Sequence, residues 1–224
     1  MFLLQERYQL FNTENINNFR DDIMTSKEVI VVPYSSDWAS VFEKLSSIFN
    51  KQLKDYIIGI EHVGSTSVQG LAAKPIIDLD LVIKDKSNFK EIIRILKGLG
   101  YNYLGEMGIV SRDAFERMSD LSPADGSGKQ WPRHHLYVCT QDGIGLKNHI
   151  RFRDYLRSHP EIVIEYGTLK TELAKKYPFD IDSYIDGKTD FIISILAKNG
   201  FDDEILQNIK QQNIASKNAS IKPH

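Results

Sequence analysis

The chain alternates between short apolar runs with a period of two and longer stretches in which apolar residues recur every three or four positions. The short runs predict strands, and the longer stretches predict amphipathic helices. Five strands are predicted, around residues 29–34, 56–63, 75–83, 107–118 and 134–139. Pro33 places the first of them at an edge or an end of a sheet, because proline has no N–H to donate to a ladder.

Helical spacing of apolar residues predicts helices between the strands and after them. Ser36 offers an N-cap for a helix that runs to about Leu53, and Ser87 offers one for a helix that two glycines stop. From about Leu146 onwards the pattern turns helical, and three helices are predicted there, with Pro160 at the start of the second. The order predicts an α+β fold, in which a mixed sheet with flanking helices precedes a C-terminal helical region.

Changes in composition divide the chain into four segments. Residues 1–25 are an N-terminal extension with loosely helical apolar spacing, expected to dock on the rest. Residues 26–142 form the predicted sheet domain, and residues 143–200 are the helical region of that same domain. Residues 201–224 are a polar tail rich in Asn, Gln, Lys and Ser, which is expected to fray.

Composition and charge narrow the class of protein. With 42% hydrophobic and 26% charged residues, the chain is too apolar to be disordered. The net charge of -2 gives no general attraction to nucleic acid or to an anionic membrane, so neither is expected as a partner, whereas a nucleotide is. The single cysteine, Cys139, excludes an internal disulfide, and the polar residues 5–7 interrupt any signal-peptide core. A cytoplasmic location is therefore expected.

Two carboxylates, Asp78 and Asp80, lie within the otherwise apolar run IIDLDLVI. Side chains two residues apart on a strand share a face and lie about 6.6 Å apart along the chain. Neighbouring buried carboxylates repel each other and lose hydration unless a cation lies between them. Since Mg²⁺ prefers one or two carboxylates with phosphate oxygens and waters, the pair predicts a magnesium site in a cleft. A solvated pair on an edge strand is the alternative.

The turn Gly64-Ser65-Thr66-Ser67 follows the preceding strand. The glycine permits close approach of a ligand, and the backbone N–H groups and hydroxyls can converge on phosphate oxygens. Most such segments are ordinary turns, so the motif alone is weak. Together with the aspartate pair it predicts binding of nucleotide phosphates.

Several other chemistries lack their motifs. The segment SPADGSGKQW has the Gly-Lys of a P-loop but lacks the upstream glycine, and GIGLKN lacks the third glycine of a dinucleotide fingerprint. Neither H-E-x-x-H nor G-x-S-x-G occurs, which leaves metalloprotease and α/β-hydrolase functions unsupported.

Three motifs in this order carry a family resemblance: IEHVGSTSVQGLAAKPIIDLDLVI at residues 60–83, HHLYV at residues 134–138, and the helical stretch at residues 152–192. Over roughly residues 29–198 the chain resembles the GrpB family. That family belongs, by fold, to the nucleotidyltransferase superfamily typified by DNA polymerase beta. The resemblance therefore implies a nucleotidyltransferase-like sheet.

The superfamily pattern implied by the resemblance is a Gly-Ser turn, a D-x-D strand and a third acidic residue on a neighbouring strand. Gly64 and Ser65 match the turn, and Asp78 and Asp80 match the metal-binding pair. His135 stands where the third carboxylate is expected. A neutral imidazole is a poor ligand for magnesium, so His135 is expected to act as a general base or to bind a softer metal. Simple packing within the sheet is the alternative.

Basic residues are needed to neutralise a bound triphosphate. Lys74, Arg112 and Lys188 are the candidates, and solvated surface charges are the alternative for each. His62, beside the turn, and His134 are expected to have structural hydrogen-bonding roles.

The leading hypothesis is a magnesium-dependent nucleotidyltransferase that moves a nucleotidyl group from a nucleoside triphosphate to a small-molecule or protein acceptor. The missing third carboxylate motivates the alternative, a catalytically silent protein that senses a nucleotide or binds a partner on the same fold.

Overall fold

The structure is a computed structural model that describes residues 28–107, 109–200 and 206–207. The predictions for the N-terminal extension, and for the polar tail apart from residues 206–207, lie outside these ranges. The strands are β1 (Gly59–Val63), β2 (Ile77–Ile83), β3 (Tyr101–Gly105), β4 (Arg112–Arg117) and β5 (His134–Thr140). The helices are α1 (Asp37–Leu53), α2 (Phe89–Gly98), α3 (Ile144–Ser158), α4 (Pro160–Lys176) and α5 (Ile181–Lys198). A 3₁₀ turn spans Ser65–Ser67.

The five strands form one mixed sheet in the order β1-β2-β5-β4-β3. β2 pairs parallel with β5, and the other three pairs are antiparallel. β2 thus has a neighbour on each side, and its register places Asp78 opposite His135 and Asp80 opposite Tyr137. The predicted α+β fold, with a mixed sheet, flanking helices and a C-terminal helical region, is confirmed.

One face of the sheet is apolar and packs against α1 and α2. The alternate residues of β2 on this face are almost completely buried, and they are Ile77, Leu79, Leu81 and Ile83. Burial of each such side chain stabilises the fold by about 1.5–3 kcal/mol. Because these residues face α1 and α2, the two aspartates between them point to the opposite face, as the spacing predicts.

The opposite face of the sheet is covered by α3, which contacts β1, β4 and β5. Leu146 of α3 packs with Val82, Tyr137 and Cys139 in a small apolar cluster on this face. Helices α4 and α5 pack on α3 around a separate core that includes Phe152. In the described residues no helix is both long and apolar enough to cross a membrane.

Two of the strand predictions are wrong in detail. Residues 29–34 form only a single bridge, between Val32 and Ala73, because Pro33 cannot donate to a ladder. β3 was not predicted, because its sequence YNYLG includes a polar residue, ends in a glycine and follows another glycine. Its partner β4 begins only at Arg112, five residues after the predicted start.

The helix starts also differ from the predicted caps. Ser36 lies at the N-cap position of α1, but its side chain makes no capping bond. The Ser35 hydroxyl accepts the N–H of Asp37 instead, at 3.2 Å. Asn88, not Ser87, is the N-cap residue of α2. Pro160 begins α4 as predicted.

Candidate functional site

A pocket opens where the turn after β1 and the start of β2 face the three C-terminal helices. It is lined by Ser65, Lys74, Ile76, Asp78, His135, Phe152, Tyr166, Lys170, Tyr184 and Lys188. Five of these residues were predicted from the sequence as site residues, and they are Ser65, Lys74, Asp78, His135 and Lys188. The fold thus brings together side chains that lie up to 123 positions apart.

The turn after β1 is fitted closely around the Asp78 side chain. Gly64 has φ +72°, and a Cβ at this position would overlap the Asp78 carboxylate. Gly64 was predicted to permit close approach of a ligand. In the structure it permits close approach of the Asp78 side chain. The Ser67 hydroxyl donates to the Gly64 carbonyl at 2.6 Å, and the Thr66 hydroxyl donates to the Ile76 carbonyl at 3.2 Å. These two hydroxyls hold the turn, and Ser65 is the one that lines the pocket.

Two arginines on α3 brace this turn from outside. Arg157 donates to the Ser67 carbonyl at 2.8 Å, and Arg153 donates to the His62 carbonyl at 3.0 Å. Arg153 also bonds Glu61 at 2.6 Å and Asp154 at 2.7 Å. The helical region therefore fixes the position of the turn.

Asp78 and His135 form a hydrogen-bonded pair at the pocket. His135 Nδ1 lies 2.8 Å from Asp78 Oδ1, and the two side chains are 5% and 13% exposed respectively. Because a carboxylate accepts, Nδ1 of the histidine carries the proton. In the neutral ring Nε2 then has the free lone pair, which is the arrangement of a histidine oriented as a base.

Asp80 lies deeper than Asp78 and does not line the pocket. Its Oδ2 is 2.7 Å from His149 Nδ1, and the Asp80 and His149 side chains are 0% and 1% exposed. Its Oδ1 has no hydrogen-bond partner among the residues that the structure describes. Only one of the two predicted carboxylates therefore faces the pocket, because α3 covers the strand from Asp80 onwards.

The different positions of Asp78 and Asp80 limit the number of carboxylates that could bind a metal ion in the pocket. Within residues 28–107, 109–200 and 206–207, no group of three or more His, Cys, Asp or Glu side chains could hold a metal ion. Asp78 is the carboxylate that an ion in the pocket could reach.

Three lysines from separate elements line the pocket. Lys170 of α4 is 2% exposed and donates to the Ser65 hydroxyl at 2.9 Å. Lys188 of α5 lies 4.2 Å above the centre of the Tyr184 ring, and Lys74 lies 5.9 Å from the same centre. A cation above an aromatic face is attracted by the ring quadrupole, so the rings help to hold these charges in a largely buried place.

Arg112, the third predicted cation, is not in the pocket. It is fully buried, and its guanidinium lies 4.5 Å above the Tyr137 ring. Its position opposite Cys139 on β5 puts it on the sheet face that α3 covers, farther along the strands than Asp78. Arg112 therefore does not line the pocket that holds Ser65, Asp78 and the lysines.

The other two histidines near the motifs are buried in structural contacts. His62 lies 3.1 Å from the Thr66 hydroxyl and stacks on Phe42, and burial lowers its pKa to about 4. His134 lies between the Tyr101 hydroxyl and the Pro132 carbonyl, and burial lowers its pKa to about 3. Both rings are thus neutral near pH 7.

Lys170 and His149 were missed by the sequence analysis. Lys170 falls on the apolar stripe of α4, with Val163, Tyr166 and Ala174 at helical spacing. His149 lies similarly on the buried side of α3. A charged or titratable residue on an otherwise apolar stripe was the available signal, since such residues are rarely buried without a partner.

The turn that faces the aspartate strand lies on a mixed sheet with flanking helices, which makes the chain an α+β protein. A family model described as GrpB protein matches residues 28–198. The chain belongs to the GrpB family, as the resemblance implied.

Two relatives with similar sequences come from bacteria. The chain is 35% identical over 172 residues to glutamate-rich protein GrpB of Alkalihalophilus pseudofirmus, covering 75% of this chain and 94% of the relative. It is 35% identical over 170 residues to YqkA of Bacillus subtilis, covering 74% of this chain. In the second case the matched region spans only 46% of the relative, so that YqkA contains a further part.

A solved structure of a GrpB protein resembles this chain. The crystal structure of conserved protein GrpB from Enterococcus faecalis has a TM-score of 0.64 and 32% identity, covering 81% of this chain and 98% of that chain. A Cid1 poly(U) polymerase bound to MgATP overlaps less well, with a TM-score of 0.34, 9% identity, and coverage of 62% of this chain and 45% of the polymerase. An overlap of that size supports no statement about activity.

Proposed function

We propose that the protein binds a nucleoside triphosphate in the pocket and transfers its nucleotidyl group to a small-molecule or protein acceptor, with Mg²⁺ as cofactor. The observation that carries this proposal is the convergence of Ser65, an Asp78–His135 pair and three lysines on one pocket. Each part corresponds to a requirement of phosphoryl chemistry: phosphate binding, neutralisation of charge and removal of a proton.

Phosphate binding falls to Ser65 and the lysines. The lining contains three cationic side chains, Lys74, Lys170 and Lys188, against a single carboxylate, so it favours a polyanion. Charges that are shielded from water act more strongly on a ligand than exposed ones. The Ser65 hydroxyl, already in contact with Lys170, can donate its own proton to a phosphate oxygen.

The donor set fits a magnesium ion that arrives with the nucleotide. Mg²⁺ is commonly held by one or two carboxylates together with phosphate oxygens and waters, and Asp78 supplies one carboxylate at the pocket. Bound there, the ion would neutralise charge on the phosphate oxygens. Asp80, which is bonded to His149, supports the strand from behind.

His135 is the proposed general base. Its Nδ1–H bond to Asp78 fixes the ring, which leaves Nε2 to take a proton from the acceptor hydroxyl. The acceptor oxygen then forms a bond to the α-phosphorus, and the bond from that phosphorus to the bridging oxygen breaks. Pyrophosphate leaves with the electron pair and is held by the lysines.

A second candidate is nucleotide binding without turnover. The observation that favours it is that both carboxylates of the aspartate pair are hydrogen-bonded to histidines, with Asp80 shielded from the pocket. In that case the pocket would sense a nucleotide and pass the signal to a partner. The two candidates share the binding step and differ in the release of pyrophosphate.

Calorimetry and a pyrophosphate assay separate these candidates. ATP, GTP, CTP and UTP are titrated into the natural chain, with and without Mg²⁺, and pyrophosphate is followed over a panel of hydroxyl acceptors. The variants are Asp78→Asn and Lys188→Met, and Lys90→Gln on the exposed side of α2 is the matched control.

The enzyme proposal predicts Mg²⁺-dependent pyrophosphate release that Asp78→Asn abolishes and Lys90→Gln preserves. Tight binding with no pyrophosphate from any acceptor would support the second candidate instead. Absence of nucleotide binding by the natural chain would reject both.

A further inference from the structure

The chemistry of the pocket lining suits a phosphate chain better than a nucleobase. Among the residues that the structure describes, the polar side chains that line it are three lysines, Ser65, Asp78, His135 and two tyrosines, with no Asn, Gln or Arg. Proteins distinguish bases by paired hydrogen bonds from such planar groups and by stacking on aromatic faces. Of these two devices, only stacking is open to this pocket, and it depends on the three aromatic rings.

The ring of Tyr166 is already engaged on its faces. It stacks on Phe191 with a centroid distance of 4.8 Å and an interplanar angle of 4°, and Lys170 Nζ lies 4.5 Å from its centre. Its side chain is 3% exposed. A base therefore has no face of Tyr166 on which to stack.

Tyr184 and Phe152 are also almost completely buried, through other contacts. Tyr184 is 1% exposed and carries Lys188 at 4.2 Å and Lys74 at 5.9 Å from its centre. Phe152 is 5% exposed and meets Tyr166 edge-on, at a centroid distance of 5.7 Å. The rings position ammonium groups and pack the helices, which leaves none of them for a base.

The three lysines recognise the charge of a ligand and not the shape of its base. An ammonium group is a compact point charge with rotatable donors, unlike the planar fork of arginine. Lys74 comes from the segment before β2, Lys170 from α4 and Lys188 from α5, so three separate parts of the fold bring a positive charge to the pocket. A chain of several phosphates offers a separate charged group to each of these ammonium groups.

We infer that the pocket recognises its ligand through the polyphosphate chain and does not read the base, which lies outside the lined volume. This inference rests on the proposed function only in taking the physiological ligand to be a nucleotide. It adds a substrate class: any nucleoside triphosphate, with bare tripolyphosphate as a competitor of comparable affinity.

A competition titration tests this inference. The full chain with Mg²⁺ is titrated with ATP, GTP, CTP, UTP, sodium tripolyphosphate, pyrophosphate and orthophosphate. The four nucleotides and tripolyphosphate are expected to bind within about threefold of one another, which is less than 1 kcal/mol, and orthophosphate most weakly. Lys74→Gln should weaken binding of all five triphosphates by the same factor, with Lys90→Gln as the unaffected control.

Three different results would contradict the inference, the proposed function or both. A preference for one base of more than about tenfold, with no binding of tripolyphosphate, would overturn the inference and leave the proposed function intact. Binding of tripolyphosphate without binding of any nucleotide would overturn the proposed function and the nucleoside triphosphate as substrate class, and would support recognition of a phosphate chain alone. Absence of binding by all seven ligands would overturn both.

Discussion

His135 Nδ1 lies 2.8 Å from Asp78 Oδ1, across the parallel pair of β2 and β5. Two residues further along β2, Asp80 bonds another histidine, His149, which comes from α3 and not from the sheet. The aspartate pair is thus divided into an outer carboxylate at the pocket and an inner one that ties a helix to the sheet. Different consequences follow for the two positions.

Replacement of His135 should separate binding from chemistry. The change His135→Gln retains a donor for Asp78 but removes the base, so pyrophosphate release should fall by about 10²- to 10⁴-fold. The nucleotide dissociation constant should change little. Steady-state kinetics and calorimetry measure the two quantities, with His159→Gln, at the end of α3 and stacked on Tyr155, as the control. Unchanged pyrophosphate release in His135→Gln would remove the residue from the mechanism.

Replacement of the inner aspartate should cost stability. Asp80→Asn removes a charge-assisted hydrogen bond to His149 in a fully buried place, and an expected cost is about 2–4 kcal/mol in the free energy of unfolding. Asp78→Asn, at a partly exposed position, should cost less than about 1 kcal/mol. Urea unfolding of both variants gives the comparison. Equal losses would contradict the division into inner and outer carboxylates.

Addition of one methyl group at Gly64 should disturb the pocket. Gly64→Ala forces a residue with a side chain to adopt φ +72° and ψ -178°, a region populated essentially by glycine, at about 1–3 kcal/mol, and also pushes its Cβ into Asp78. Gly105→Ala is the matched control, because Gly105 has φ +81° but open space around its Cβ position. The first variant should be less stable than the second and should bind nucleotide more weakly. Equal urea midpoints for the two variants would show that the turn accommodates the added methyl group with no loss of stability.

Acid should destabilise the protein partly through His62. Burial lowers the pKa of His62 to about 4, so the unfolded chain, with a histidine pKa near 6.5, takes up this proton first as the pH falls. The stabilisation is therefore complete above about pH 6.5, and roughly 2 kcal/mol of it is lost by pH 4.5. His62→Gln keeps a bond to Thr66 without the titration, so its unfolding free energy should fall less between pH 7 and pH 4.5. If the unfolding free energies of the two proteins fall equally with pH, protonation of His62 is not the cause.

Local patterns were sufficient to predict some of the residues that line the pocket. The apolar alternation in β2 placed Asp78 away from α1 and α2, and the Gly-Ser turn placed Ser65 beside it. Both motifs are short and adjacent to strand ends, so their geometry follows from the period of a strand and the freedom of a glycine. Lys74 is close to them in the chain, and the resemblance supplied His135.

Features that depend on distant packing could not be predicted in this way. The burial of Asp80 depends on α3 crossing the sheet, and no spacing within β2 distinguishes it from Asp78. The placement of Arg112 depends on the strand order, which puts β4 beyond β5. Lys170 reaches Ser65 across 105 positions of sequence, a contact that only the packing of α4 creates.

The most direct test of nucleotide binding in the pocket is a crystal structure of the protein with a non-hydrolysable nucleoside triphosphate and Mn²⁺. Phosphate oxygens are expected within hydrogen-bond distance of Ser65 and Lys170, with an anomalous peak for manganese beside Asp78. A nucleotide bound elsewhere on the protein, with the pocket still holding only its own side chains and water, would contradict this expectation.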